Sequence, residues 1–184
     1  MFSYYLDLSS ASFYQEDNLL HDPSPILIKT IQKVHASPLC RRFIQAAYAI
    51  CTAGEIQPGM AAPVIAPDKE HHPTVYPMKW GFRTSTGTLL PTCKKADEHR
   101  CVIPSSWLIR NGHIIQTKGS RETWIAGTYR IENNLPVFAV LTTPAESYTG
   151  EQTDCPSILH QADIRPWLKG DPVNFVNEFV VERQ

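Results

Sequence analysis

The residues in this sequence that could do chemistry lie mostly in its middle and late parts. His71 and His72 are adjacent, so on a strand they point to opposite faces and cannot easily hold one metal ion; a solvated loop suits them better. Lys94 and Lys95, with Arg83 and Arg100 nearby in the chain, can contact phosphates, although a charged loop in water is the plainer reading. Cys101 sits inside the apolar run Arg100-Cys-Val-Ile-Pro104, which suits a buried, inert thiol. Cys155 precedes Pro156 in a polar stretch and is the better candidate for an exposed thiol. The chain has no GxSxG elbow, no GxxxxGK phosphate cradle and no HExxH helix. Residue types and spacing alone therefore give no enzyme, no metal site and no cofactor.

The elements that must position these groups belong to a chain of 184 residues, enough for a single domain over 1–184 that buries roughly 70% of its unfolded surface. Seventeen basic residues nearly cancel 18 acidic ones, and the net charge of -1 excludes a strongly basic nucleic-acid wrapper and an acidic disordered tail. Proline, at 15, outnumbers glycine, at 9, which favours stiff loops and bounded strands. No apolar run reaches the ~18 residues of a membrane span, and Met1 to Asp7 lacks the basic and apolar regions of a secretory signal. Cys40, Cys51, Cys93, Cys101 and Cys155 are odd in number and contain no CxxC pair, the pattern of reduced thiols. A soluble, cytoplasmic protein without a membrane partner is expected.

Ile26 to Val34 places Leu27, Ile31 and Val34 on one helical stripe behind Pro25, and Leu39 to Thr52 does the same with Phe43, Ala46, Ala47 and Ile50, with Gly54 as a stop beyond it. Beyond Gly54 the pattern turns to short apolar runs broken by Pro and Gly. Strands are expected over Pro63 to Ala66, Thr74 to Phe82, Arg100 to Pro104, His113 to Thr117, Thr123 to Ile131 and Val137 to Thr143. A short helix is expected over Ala162 to Lys169 and a terminal strand over Val173 to Val181. The fold class is α+β: a β-rich, mostly antiparallel, barrel-like sheet with flanking helices.

Six strings then occur in a telling order: Gln57-Pro-Gly59 leading to Pro63-Val-Ile65, Lys79-Trp-Gly-Phe82, Arg100-Cys-Val-Ile-Pro104, Ile125-Ala-Gly-Thr-Tyr129, Val140-Leu-Thr-Thr-Pro-Ala145, and Cys155-Pro-Ser-Ile-Leu159 leading to Trp167-Leu168. Together they resemble the SRAP family, the SOS response-associated peptidase domain, over nearly the whole chain. The resemblance implies a pseudo-barrel whose cleft binds single-stranded DNA and recognises abasic sites. In that family an amino-terminal cysteine, exposed by removal of the initiator methionine, joins the ring-opened sugar; an α-amine and a thiol on one residue can form a Schiff base and then a thiazolidine. An asparagine, a glutamate and a histidine orient the reactants and move protons.

This chain departs from that pattern at each position. Phe2 stands where the cysteine would be. Arg110 falls on the glutamate position in an ungapped match, and Ser106 in a shifted one. Gln152 takes the histidine position, and an amide cannot shuttle protons near neutral pH. No Asn-Ala-Arg-like motif appears between Arg83 and His99. Four losses at one site mark a degenerate member without covalent chemistry, so no catalytic residue is assigned.

For reversible binding the candidates are Pro58, Trp80, Arg83, Lys94, Lys95, Arg100 and Thr142. Trp80 can stack a base or serve as a core aromatic; Thr142 or Thr143 can offer a hydroxyl to a phosphate or simply favour a strand. Gly81 reads as a close backbone approach, Ala126 and Gly127 as tight packing. The expected partner is single-stranded DNA, held weakly and without a covalent bond. The alternative is a non-catalytic module whose cleft has turned to another ligand or a protein partner. A third reading, a different enzyme using Cys155 or Asp154, has less behind it.

Because methionine removal requires a small second residue and Phe2 is large, the initiator methionine is expected to remain. An intact-mass spectrum should match the full chain; a mass lower by one methionine would contradict this.

Overall fold

The computed structural model describes residues 2–6, 54–68, 70–96, 99–105, 107–110, 113–118, 123–146, 152–176 and 179–183. Their strands are, in chain order, β1 (Phe2–Leu6), β2 (Gly54–Ile56), β3 (Ala61–Pro67), β4 (Pro73–Trp80), β5 (Phe82–Arg83), β6 (Leu89–Leu90), β7 (Thr92–Cys93) and β8 (Arg100–Ser105). There follow β9 (Trp107–Arg110), β10 (His113–Thr117), β11 (Thr123–Glu132), β12 (Leu135–Glu146), β13 (Gln152–Pro156), β14 (Ile158–Leu159), the helix α1 (Ile164–Lys169) and β15 (Phe179–Arg183).

Five of these strands close into a barrel. The ring runs β12, β4, β3, β8, β11 and back to β12. Every pairing in it is antiparallel except that of β12 with β4, where Val137 and Phe138 lie beside Lys79 and Trp80. Period-2 alternation fills the interior: Ala62, Val64 and Ala66 from β3, Tyr76, Met78 and Trp80 from β4, Cys101 and Ile103 from β8, Ile125 from β11, Phe138 and Val140 from β12. The opposite faces of the same strands are also covered. Ile65, Val102, Trp124, Ala126 and Leu141 pack with Ile164 and Trp167 of α1. Burial on both faces explains why these strands read as continuous apolar runs.

Two local devices set the ring's geometry. Asn133 and Asn134, at φ 49° and 63°, make the two-residue turn that matches the twist of β11 and β12 and pairs Glu132 with Leu135. Gly127 lies in the interior, where an added Cβ would stand 2.5 Å from Ile103 Cδ1 and 2.8 Å from the Ala139 carbonyl oxygen. The tight packing expected at Gly127 is thus a contact that only glycine permits.

A second sheet, five-stranded and antiparallel throughout, has the order β15, β10, β9, β1, β2. Its β9 follows β8 directly out of the barrel, and β10 leads back to β11. Ile56, Leu108 and Ile115 from this sheet join the barrel's interior cluster.

Several expectations need correction. Gly54, expected just beyond a helix, is the first residue of strand β2. Of the terminal strand expected over Val173 to Val181, the regular part among the described residues is β15, which begins at Phe179; Phe175 makes an isolated bridge to Leu159. The expected helix over Ala162 to Lys169 begins as a 3-10 turn, Gln161–Asp163, and becomes α1. Within the strand expected over Val137 to Thr143, Val140 faces the interior and Leu141 packs on the outer face, since neighbours on a strand point oppositely. The helices expected over 26–34 and 39–52 lie outside the described residues. No described helix is long and apolar enough to cross a membrane.

Gly127→Ala should cost roughly 2–3 kcal/mol in urea unfolding through overpacking. Gly87→Ala, at φ +85° but with open space around it, should cost only about 1 kcal/mol. Equal losses at the two positions would show that the interior contact at Gly127 is not made.

Candidate functional site

Most residues singled out for binding gather around the segment from Trp80 to Lys95. The Trp80 indole N–H donates to the Pro91 carbonyl at 2.8 Å, which anchors the run into β7 beneath the barrel wall. The Thr142 hydroxyl donates to the Cys93 carbonyl at 3.2 Å, bringing β12 to the foot of Lys94 and Lys95. Pro58 lies in the turn before β3, where the Gly59 amide donates to the Trp80 carbonyl at 2.8 Å. Arg83 follows Gly81, whose φ of +108° and contact with Leu89 leave no room for a side chain.

Of these groups only some face water. Lys94, Lys95 and Arg83 are exposed. Lys94 pairs with Asp154 at 3.0 Å, an interaction worth little at such exposure. The Arg83 guanidinium reaches the Gly87 carbonyl at 3.3 Å, while its amide donates to the Glu132 carboxylate. Glu132 also pairs with Arg130, whose guanidinium lies 4.2 Å from the Phe82 ring centre.

The base-stacking expectation for Trp80 is corrected by its burial. Its exposure is 0%, and the indole stacks on Phe138 with centroids 6.0 Å apart. An aromatic enclosed on both faces has none left for a base, so the core reading holds. Thr142 is likewise buried, and its hydroxyl is already engaged.

Arg100 belongs elsewhere. Its guanidinium lies 4.3 Å from the centre of the Trp167 ring and donates to the Asp171 carbonyl at 2.7 Å. Trp167 in turn donates to the Cys101 carbonyl at 2.9 Å. Arg100 thus fastens α1 and the turn after it to the barrel, and phosphate binding would compete with those contacts.

The family-matched positions are distributed unevenly. Phe2 stands directly opposite Arg110 in the β1–β9 ladder. Two residues over 100 apart in sequence are therefore neighbours at one end of the five-stranded sheet. Gln152 is on β13, opposite Glu146, in the other sheet. Nothing in local sequence signals the β1–β9 pairing, because Phe-Ser-Tyr-Tyr-Leu carries no clean alternation and the pairing is long-range.

The thiols behave as their surroundings dictate. Cys101 is fully enclosed, and burial, with a smaller contribution from Cys93, holds its pKa well above the ordinary value, so the reactive thiolate is suppressed. Burial likewise raises Tyr129, with Cys101 adding to it. Cys155 is half-buried on β13. His71 and His72 sit exposed in the turn between β3 and β4, His71 at φ +63°. There the Asp68 carboxylate accepts from the Glu70 and His72 amides at 2.8 and 2.9 Å, an arrangement that shapes the turn. Asp68, Glu70 and His72 bring ligand atoms within 4.8 Å of one another, the one such group among the described residues, but it lies on the surface and has the structure of an ordinary turn.

No family model matches the chain. No curated protein matches it. Among solved structures, a protein from Bordetella bronchiseptica is similar with a TM-score of 0.59 at 12% identity, covering 71% of this chain and 86% of its own. A protein from Bacteroides thetaiotaomicron gives 0.44 at 18% identity over 62% of this chain and 66% of its own. A phage-related protein from Bordetella bronchiseptica gives 0.45 at 12% over 76% and 90%. The first shows that the barrel-like fold is shared.

Trp80→Ala should lower unfolding stability by roughly 3–5 kcal/mol, the usual cost of removing a large buried aromatic. A variant as stable as the parent that binds single-stranded DNA tenfold more weakly would instead mean that the ring is a stacking surface.

Proposed function

We propose that this chain is an SRAP-like protein of the cytoplasm that has lost covalent capture of abasic sites and retains reversible binding, with single-stranded DNA as its ligand. The observation that carries this reading is the pairing of Phe2 with Arg110. The two positions matched to the family's nucleophile and acid come to lie side by side although the chain between them exceeds a hundred residues. Neither group is present. Phenylalanine offers no thiol to close a thiazolidine, and an arginine remains protonated where proton transfer needs an acid.

Reversible binding asks less of the surface. A strand of DNA needs cations along its backbone, and Arg83, Lys94 and Lys95 are the exposed candidates on the Trp80 to Lys95 segment. The near-zero net charge keeps such binding weak. A second reading, that the cleft serves another ligand or a protein, draws support from the enclosure of Trp80 and Thr142, which removes a stacking face and a hydroxyl from the DNA reading.

Mixing the protein with abasic single-stranded DNA should give no adduct that survives denaturing electrophoresis. Binding measured by anisotropy should weaken with salt at a log-log slope near about -2, as roughly two or three phosphate contacts require. Joint replacement of Lys94 and Lys95 by Gln should flatten that slope. A stable adduct would overturn the loss of chemistry, and no binding at low salt would remove DNA in favour of the second reading.

A further inference from the structure

The turn that joins β3 to β4 carries metal-ligating side chains of two kinds, and none of them enters the DNA-binding reading. Asp68, Glu70 and His72 are spaced two residues apart, and each offers one ligand atom to a group whose members lie within 4.8 Å of one another. His72 Nδ1 stands 3.9 Å from Asp68 Oδ2 and 3.7 Å from Glu70 Oε2. Both separations are too long for a hydrogen bond. They are close to the spacing of donors around a shared ion, since donors each about 2.1 Å from a tetrahedral zinc stand about 3.4 Å from one another.

The backbone of the turn holds these groups in place before any ion arrives. Pro67 and Pro73 are paired at its base, the Asp68 amide donates to the His72 carbonyl at 2.9 Å, and the His71 amide donates to the Asp68 carbonyl at 3.1 Å. The two oxygens of Asp68 serve different partners: Oδ1 accepts from the Glu70 and His72 amides, and Oδ2 is the one nearest the imidazole. Hydrogen bonds that orient a ligating carboxylate are the usual outer support of a metal site. Ions in solution have access, because the His72 and Glu70 side chains are 72% and 81% exposed. The adjacency of His71 and His72 argues against one ion held by both, and His71 is outside the group. The partners of His72 are the two carboxylates instead.

We infer that Asp68, Glu70 and His72 form a surface binding site for a divalent transition-metal ion, with zinc as the fitting case. The donor set decides the class. An imidazole nitrogen suits zinc, nickel and copper, whereas calcium and magnesium take oxygen donors. The two carboxylates balance the charge of the ion, and three protein donors leave a fourth position to water. The site goes beyond the proposed function and does not depend on it, since it lies at the opposite end of β4 from Trp80.

The test is calorimetric titration of the whole protein, stripped of metal with a chelator and kept reduced, with zinc chloride. Saturable binding of one zinc per chain is expected, with calcium and magnesium at least tenfold weaker. Affinity for zinc should fall at least tenfold in His72→Gln and in Glu70→Gln. It should be unchanged in His71→Asn, a replacement that tolerates the φ of 63° at that position. Asp68→Asn keeps an acceptor for both amides, so it tests the third donor without opening the turn, and the same weakening is expected. Circular dichroism establishes that each variant is folded. Cobalt(II) provides a second readout, since its visible absorption should change on binding to the parent and not on mixing with His72→Gln. No saturable zinc binding, equal binding by His72→Gln and the parent, or calcium bound as tightly as zinc would overturn the site. None of these outcomes bears on adduct formation or on the salt dependence of DNA binding.

Discussion

Closure of the five-strand ring is the constraint on which the remaining structure depends. With β12 pairing β11 on one side and β4 on the other, none of the five has a free edge along its paired length, and every second residue is committed to the interior. So small a ring leaves no channel, and its centre is filled by Trp80, Phe138, Met78 and Ile103. The close contact at Gly127 lets β11 approach Ile103 and Ala139. Once this interior is filled, Trp80 and Thr142 have no freedom to serve a ligand.

The second sheet takes its position from that ring. Because β9 and β10 are an excursion between two barrel strands, and because Leu108, Ile115 and Ile56 join the barrel's interior, the end of the sheet is held at a defined place. The amino-terminal strand is then seated between β9 and β2, where the Ser3 hydroxyl donates to Glu55 at 2.6 Å. Phe2 and Arg110, from distant parts of the sequence, meet in this way in the β1–β9 ladder.

Much of the barrel was legible because burial on both faces leaves runs such as Ala61 to Ala66 and Trp124 to Gly127, and because Asn133-Asn134 marks a tight turn. Even the enclosure of Trp80 follows from its place two and four residues after Met78 and Tyr76 on one face of β4, once that face is known to be the interior. The second sheet was less legible. The strand that Gly54 opens is not signalled locally, because a glycine beyond a helix and one that begins a strand look alike in sequence. The pairing of Phe2 with Arg110 could not be read at all, since that register depends on strands far apart in the chain.

The central claim is that single-stranded DNA is held reversibly by the exposed cations of the segment from Trp80 to Lys95, while the Trp80 ring stays enclosed in the barrel. The most direct measurement is chemical-shift mapping by NMR during titration with an abasic single-stranded oligonucleotide. The expected result is reversible shifts concentrated at Arg83, Lys94 and Lys95, with the Trp80 indole signal unmoved. No shifts at those three residues, or a second set of signals that persists after the oligonucleotide is removed, would contradict it.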